Sequence, residues 1–182
     1  RRILNEQTLE TGCQMHSLAK VFAGVVSEEM GEVADEAIQT GTLDWDTFFI
    51  GWYRMVRRVV LGAEARDDAK LTDLLEDLRY RANFAFLRSK DRKKREVFLR
   101  RLRLYVERSA ANSLAGRMSG ACTHPEQQPH HQLPQYLFAF DPGAMATFRT
   151  LALLSMHPEA ERQVRAEIAE AGGETAPQLE LL

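Results

Sequence analysis

Cysteine is nearly missing from this 182-residue chain: only Cys13 and Cys122 occur. Two isolated thiols make no disulfide framework and suit a reducing, cytoplasmic compartment. The chain has no G-x-G-x-x-G turn and no P-loop, which leaves nucleotide binding without support, and no G-x-S-x-G elbow marks a nucleophilic serine. An excess of either charge is lacking too. Lys and Arg number 24 against 26 Asp and Glu, a net charge of −2, so nothing points to nucleic acid as a partner. The N-terminus, Arg1-Arg2-Ile3-Leu4-Asn5, continues polar and does not read as a signal peptide. A long uninterrupted hydrophobic run is also absent. The most apolar segment, residues 133–156, contains Asp141, Arg149 and two prolines, each costly in a bilayer. It reads as a buried core helix, and no membrane partner is expected.

What the chain does have is helical periodicity throughout, with no convincing period-two strand. Residues 11–39 read as one helix with Leu18, Val21, Phe22, Val25 and Val26 on its apolar side, stopped by Gly41. Asp44 offers an N-cap to a second helix, where Trp45, Phe48, Phe49, Trp52, Val56, Val59 and Val60 recur at three and four, and Gly62 suits a left-handed C-terminal cap. The spacing of Trp45 and Trp52 is explained by core packing without a ligand. Asp67 or Asp68 caps a third helix, with the stripe Leu71, Leu74, Leu75, Leu78, Ala82 and Ala85. A basic turn leads into a fourth, with Phe98, Leu102, Tyr105, Val106 and Ser109. Residues 118–134, with three prolines and no apolar period, read as a loop. A long fifth helix over 135–156 and a sixth opened by Pro158 complete the pattern, the last ended by Gly172-Gly173.

Charge is unevenly spread. Residues 26–46 hold seven acidic side chains and no Lys or Arg, whereas residues 88–95 hold six basic residues and one Asp. Solvated helix faces account for both. Cys122, His124, His130 and His131 can all ligate zinc, but C-x-H and H-H match no standard structural-site spacing, so no metal site is assigned.

The fifth helix carries the informative residues. Apolar almost all round, it is expected inside the protein. At its middle stands one carboxylate, Asp141, followed by Pro142 and Gly143. A helix-interior Pro removes one backbone hydrogen bond and clashes with the carbonyl four residues back, and Gly weakens the same turn by roughly 1 kcal/mol relative to Ala. Asp141 is therefore either paired structurally or facing a polar, wet cavity; the residues leave both open.

The stretch YLFAFDPGAMATFRTLALLSMHPE, residues 136–159, resembles the oxygen-side central helix of cytochrome P450s. That family shows Ala/Gly-Gly-x-Asp/Glu-Thr-Thr/Ser there, with a His-Pro-Glu turn about fifteen residues on. Counting back from His157-Pro158-Glu159, the acid falls on Asp141 and the small residue before it on Ala139. The following AERQVRAEI, with Arg165 and Glu167, is also similar to the family's next helix. The upstream helices agree in order and length.

The resemblance implies an all-α segment of a haem-thiolate monooxygenase, residues 1–182 forming a partial P450 domain: helices over 11–117, the loop, the long buried central helix, and the next helix over 158–171. It implies haem b and dioxygen as cofactors, a small organic substrate, and a ferredoxin or flavoprotein electron donor. Asp141 would handle protons. Ala139, Phe140, Gly143 and Ala144 would line the haem, and Arg1 or Arg2, more specifically Arg2, would pair with a propionate. The third and fourth helices would form the substrate-access lid. Two departures stand out. The threonine after the acid is replaced by Pro142, and Thr147, six residues beyond Asp141, is a poor stand-in. The haem-ligand loop F-x-x-G-x-x-x-C-x-G is absent, so the chain is expected to be an internal fragment, inactive alone. The rival expectation is a helical ligand- or partner-binding module, a regulator without catalysis. It predicts a closed core, whereas a fragment predicts a broad exposed apolar surface along the fifth helix.

Overall fold

Helices form where the apolar period runs at three and four, and short polar side chains fix where several of them start. The computed structural model describes residues 1–84 and 91–170, which are all-helical with no strand among them. The α-helices are α1 (Arg2–Thr8), α2 (Ala19–Thr40), α3 (Trp45–Leu61), α4 (Ala69–Asn83), α5 (Arg92–Arg108), α6 (Leu114–Ala121), α7 (Leu133–Met156) and α8 (Pro158–Glu170). Three single 3-10 turns, Ala63–Ala65, Pro125–Gln127 and Pro129–His131, lie in the connections. Asp44 accepts from the Thr47 amide at 2.8 Å, Asp68 from Leu71 at 3.2 Å and Asp91 from Lys94 at 3.0 Å. Each aspartate satisfies one of the amides that a helix start leaves without a partner. Gly41 and Gly62 take φ of 73° and 104°, the left-handed region that glycine enters without a Cβ penalty.

The described chain divides into two units, residues 1–11 with 53–139, and residues 12–52 with those from 140 onward. Helices α3 and α7 contribute to both.

In the first unit α5 packs on α4 and α6, and α1 on α6. Its core holds Leu4, Val56, Val60, Leu71, Phe98, Leu102, Met118 and Leu137, all at 2% exposure or less. Burying each such side chain contributes about 1.5–3 kcal/mol. A Cβ at Gly116 would collide with the backbone of Ala110, so glycine lets α6 close on the turn after α5. Polar side chains also enter this unit. Arg57, 4% exposed, donates through Nε to the carbonyls of Ala65 (3.1 Å) and Arg66 (2.8 Å), and through Nη1 to Thr72 Oγ1 (2.6 Å). It ties α3 to the 3-10 turn and α4. Burial pushes its pKa down, yet every bond it makes here needs its donors, which a guanidinium always keeps.

In the second unit Val33, Phe48 and Ala144 form a buried cluster, with Met30, Leu43, Trp45, Trp52 and Phe148 packed against it. Phe148 meets Trp45 edge-on at 5.3 Å and Phe48 at 5.2 Å between ring centroids. The cluster joins α2, α3 and the second half of α7. A Cβ at Gly51 would run into Val33, so glycine sets how closely α3 approaches α2.

Several expectations are corrected by these elements. The helix expected over 11–39 begins only at Ala19, preceded by a separate α1 whose polar sequence hides it. Its packed side shifts as well: Val21 and Val26 are exposed at 36% and 40%, while Glu29 and Val33 are buried. Residues 118–134 are not a plain loop, because α6 runs to Ala121, two 3-10 turns follow, and α7 starts at Leu133 rather than 135. Met118, placed in that loop, is fully buried. Ala82 and Ser109, expected on buried stripes, are exposed. The fifth helix of the sequence reading, α7, is packed on one side only, most deeply in its first half; Met145, Leu151, Leu153 and Met156 are all exposed. Ala85, part of the basic run at 88–95, and the glycines after α8 lie outside the described residues.

Candidate functional site

The turn of α7 from Phe140 to Ala144 combines an acid, a proline and a glycine inside one continuous helix. At 3.6 residues per turn its positions divide cleanly between two sides. Asp141 (6% exposed) and Ala144 (0%) fall on the packed side, Asp141 four residues after buried Leu137 and Ala144 four residues before half-buried Phe148. Pro142, Met145 and Ala146 fall on the open side, and Arg149, Leu153 and Met156 continue it. The result is a largely apolar stripe at helical spacing, broken by Arg149 and exposed.

Trp52 accounts for much of the local geometry. Its indole Nε1–H donates to the Phe140 carbonyl at 3.1 Å. A Cβ at Gly143 would lie 3.3 Å from Trp52 Cζ2, so the missing side chain lets the ring sit close against the helix. Pro142 cannot donate to the carbonyl four residues back, and the helix nevertheless continues through it to Met156. The Asp-Pro-Gly sequence thus has a packing role in addition to any chemical one.

The sequence-nominated residues are therefore split. Asp141 and Ala144 share the packed side, and Gly143 meets Trp52. Ala139 is exposed and lies about 200° round the helix from Asp141 at ~100° per residue. Phe140 is half-buried. Arg2 is remote in sequence, 91% exposed at its side chain, and paired through Nε with Glu6 Oε1 at 2.8 Å. The open stripe offers small, exposed side chains at Ala139, Pro142 and Ala146, so a flat apolar group would meet no bulky side chain at those three positions. No such group has room against Gly143 or Ala144, whose neighbours are Trp52, Val33 and Phe48. Neither cysteine has an iron-binding setting: Cys13 is exposed, and half-buried Cys122 donates to the His124 carbonyl at 3.4 Å. Among the described residues no three His, Cys, Asp or Glu side chains converge as a metal site.

Sequence reading missed two polar clusters. Asp68 accepts from Arg101 Nε at 2.5 Å and from Tyr105 Oη at 2.8 Å. Burial alone would raise its pKa, but these two donors outweigh burial and hold it below the usual carboxylate value. Tyr105 is pushed up to about 12 by burial and by the Asp68 carboxylate. The second cluster surrounds the 3-10 turn Pro129–His131. His130 is buried, stands edge-on to His131 with ring centroids 4.4 Å apart, and its Nε2 meets Arg103 Nη2 at 3.3 Å. Burial first, then His131 and Arg103, lower its pKa to about 4. The adjacency of His130 and His131 was the only available signal for it. Asn5 also bridges to this region, donating to Gln132 Oε1 at 3.4 Å and accepting from Tyr136 Oη at 2.8 Å.

None of the described helices is long and apolar enough to cross a membrane. Comparison of the chain with protein-family models, with curated proteins and with solved structures finds no match.

Proposed function

We propose that this chain is the oxygen-side portion of a haem-thiolate monooxygenase of the cytochrome P450 kind, with α7 as the helix that crosses the distal face of haem b. The observation that carries the reading is the sequence of residues 136–159: an acid in mid-helix, a small residue two places earlier, and a His-Pro-Glu turn at the family's spacing. Support comes from the helix boundaries, since α7 runs unbroken to Met156 and α8 opens at Pro158. The open side of α7 through Pro142, Met145 and Ala146, resumed past Arg149 at Leu153 and Met156, also supports it, because exposed apolar surface of this extent marks a face meant to be covered.

Bound haem would supply dioxygen activation to such a protein, with electrons from a ferredoxin or flavoprotein and a small organic molecule as substrate. The chain's own part is narrower. Its stripe, once covered, would exclude water from one face, and Asp141 is the one carboxyl group in the middle of α7. Asp141 lies on the packed side of α7, turned from that stripe, and Pro142 stands in place of the family's threonine, so a proton from Asp141 would reach the open face only through water or a substrate hydroxyl. Helices α4 and α5 would form the lid over the substrate. The parent protein's reduced carbon-monoxide spectrum tests the proposal: a haem-thiolate band supports it, and a haem-free protein overturns it.

A binding module without catalysis is the second reading. The packing of Trp52 against Gly143 favours it, because that contact gives the Asp-Pro-Gly turn a structural reason independent of oxygen chemistry.

A further inference from the structure

Helix α6 packs on both α1 and α5, and a groove of about 710 Å³ stays open where the three meet. Small-molecule sites commonly occupy about 300–1,000 Å³. The floor of the groove is made of small residues of α6, Gly116 and Gly120 among them. These two glycines differ. A Cβ at Gly116 would collide with the backbone of Ala110, whereas one at Gly120 would meet nothing within 4 Å. Gly116 therefore serves packing, and Gly120 keeps the floor bare.

The walls are polar. Gln7 of α1, Ser109 at the end of α5, Arg117 of α6 and Thr123 just beyond it all line the same space. The amide and the two hydroxyls both donate and accept, and a guanidinium offers five N–H donors. Arg117 is the charged group of this lining among the described residues. Glu10, which is not on the wall, accepts from Arg117 Nη2, so it fixes the guanidinium while leaving its other donors to a ligand. Backbone strain gathers at the same place. Glu10 and Ser109 take φ of 51° and 50°, a left-handed conformation uncommon outside glycine, and such outliers cluster where ligands are held.

We propose that this groove binds a small hydroxy-carboxylic acid, with its carboxylate on Arg117 and its hydroxyls on Gln7, Ser109 and Thr123. Guanidinium holds a carboxylate through paired, charge-assisted hydrogen bonds. A singly charged carboxylate suits the groove better than a phosphate dianion, which the nearby Glu10 would repel more strongly. The site is independent of the monooxygenase reading, because none of its residues lies in α7.

NMR titration of the isotope-labelled 182-residue chain with gluconate tests this, read at the amides of Gly116 and Gly120. Gluconate should shift both saturably. Sorbitol, which carries a hydroxymethyl group where gluconate has its carboxylate, should bind about tenfold more weakly or worse. Hexanoate, a carboxylate without hydroxyls, should be weaker too. R117Q should lose about tenfold or more in gluconate affinity. G120L should abolish binding with helical circular dichroism retained, because its Cβ meets no neighbour. R100Q, whose arginine is outside the groove, should bind like the parent chain. Absence of saturable shifts in the parent chain overturns the site, as does undiminished binding by R117Q or G120L. Equal loss in R100Q does so as well, since it would mean diffuse charge attraction. Sorbitol, hexanoate or inorganic phosphate binding as tightly as gluconate overturns the hydroxy-acid assignment.

Discussion

The indole Nε1–H of Trp52 donates to the carbonyl oxygen of Phe140 at 3.1 Å, two residues before the proline that interrupts the hydrogen-bond ladder of α7. One side chain of α3 thus holds the weakest turn of α7 from outside, and Gly143 leaves the room it needs.

Removing only the donor should therefore cost stability without removing the ring. Trp52→Phe is expected to lower unfolding free energy by about 1 kcal/mol, and Trp52→Ala by about 3 kcal/mol or more as packing is lost too. Urea denaturation followed by circular dichroism measures both. Equal stability of Trp52→Phe and the parent chain would show that the indole bond contributes nothing.

Much of the fold was legible because its causes are local. Asp44 and Asp68 stand just before apolar-periodic runs and do cap them, and Gly41 and Gly62 adopt the positive φ that their positions require; the Asp91 cap of α5 was not read, because a basic run follows it. Helix α1 was not legible, since Arg2–Thr8 carries few apolar side chains and gains its place by packing Leu4 into the core. The polar clusters were hidden for another reason. Asp68 meets Arg101 and Tyr105 across more than thirty residues of chain, and no sequence period encodes such a pairing. At the candidate site the acid, proline and glycine were visible, but the division of α7 into packed and open sides was not. That division depends on Trp52, which the sequence offered only as one more core aromatic.

Pro142 is exposed, so replacing it removes no buried contact. Pro142→Ala restores a backbone donor and should raise stability by about 1–3 kcal/mol. A thermal melt of the two proteins reads this directly, and a lower midpoint for the variant would mean that the proline is needed by the native turn.

The carboxylate of Asp68 has its pKa lowered in the folded chain. A depressed acid binds fewer protons when folded, so its stabilisation is present above the ordinary pKa of about 3.9 and is lost as pH falls through the folded value. Asp68→Asn should cost about 2 kcal/mol at neutral pH and should flatten the acid limb of the stability curve below about pH 4. Tyr105→Phe should show a smaller loss in the same window. A variant as stable as the parent at neutral pH would contradict this assignment.

His130 acts in a separate window. Its folded pKa is about 4, against about 6.5 unfolded, so the unfolded chain takes up the proton first as pH falls. Stability should decline by up to about 3 kcal/mol between those two values. His130→Gln should remove that decline while leaving the Asp68 limb below it. Urea midpoints collected across this range would separate the two groups, and an unchanged curve in His130→Gln would exclude His130 as the source.

The central claim concerns α7, and haem chemistry in the parent protein tests it most directly. Reduced and exposed to carbon monoxide, that protein should give the band of a haem thiolate, and Asp141→Asn should keep the band while slowing substrate oxidation. A parent protein that contains no haem, or one whose spectrum lacks the thiolate band, would contradict the account.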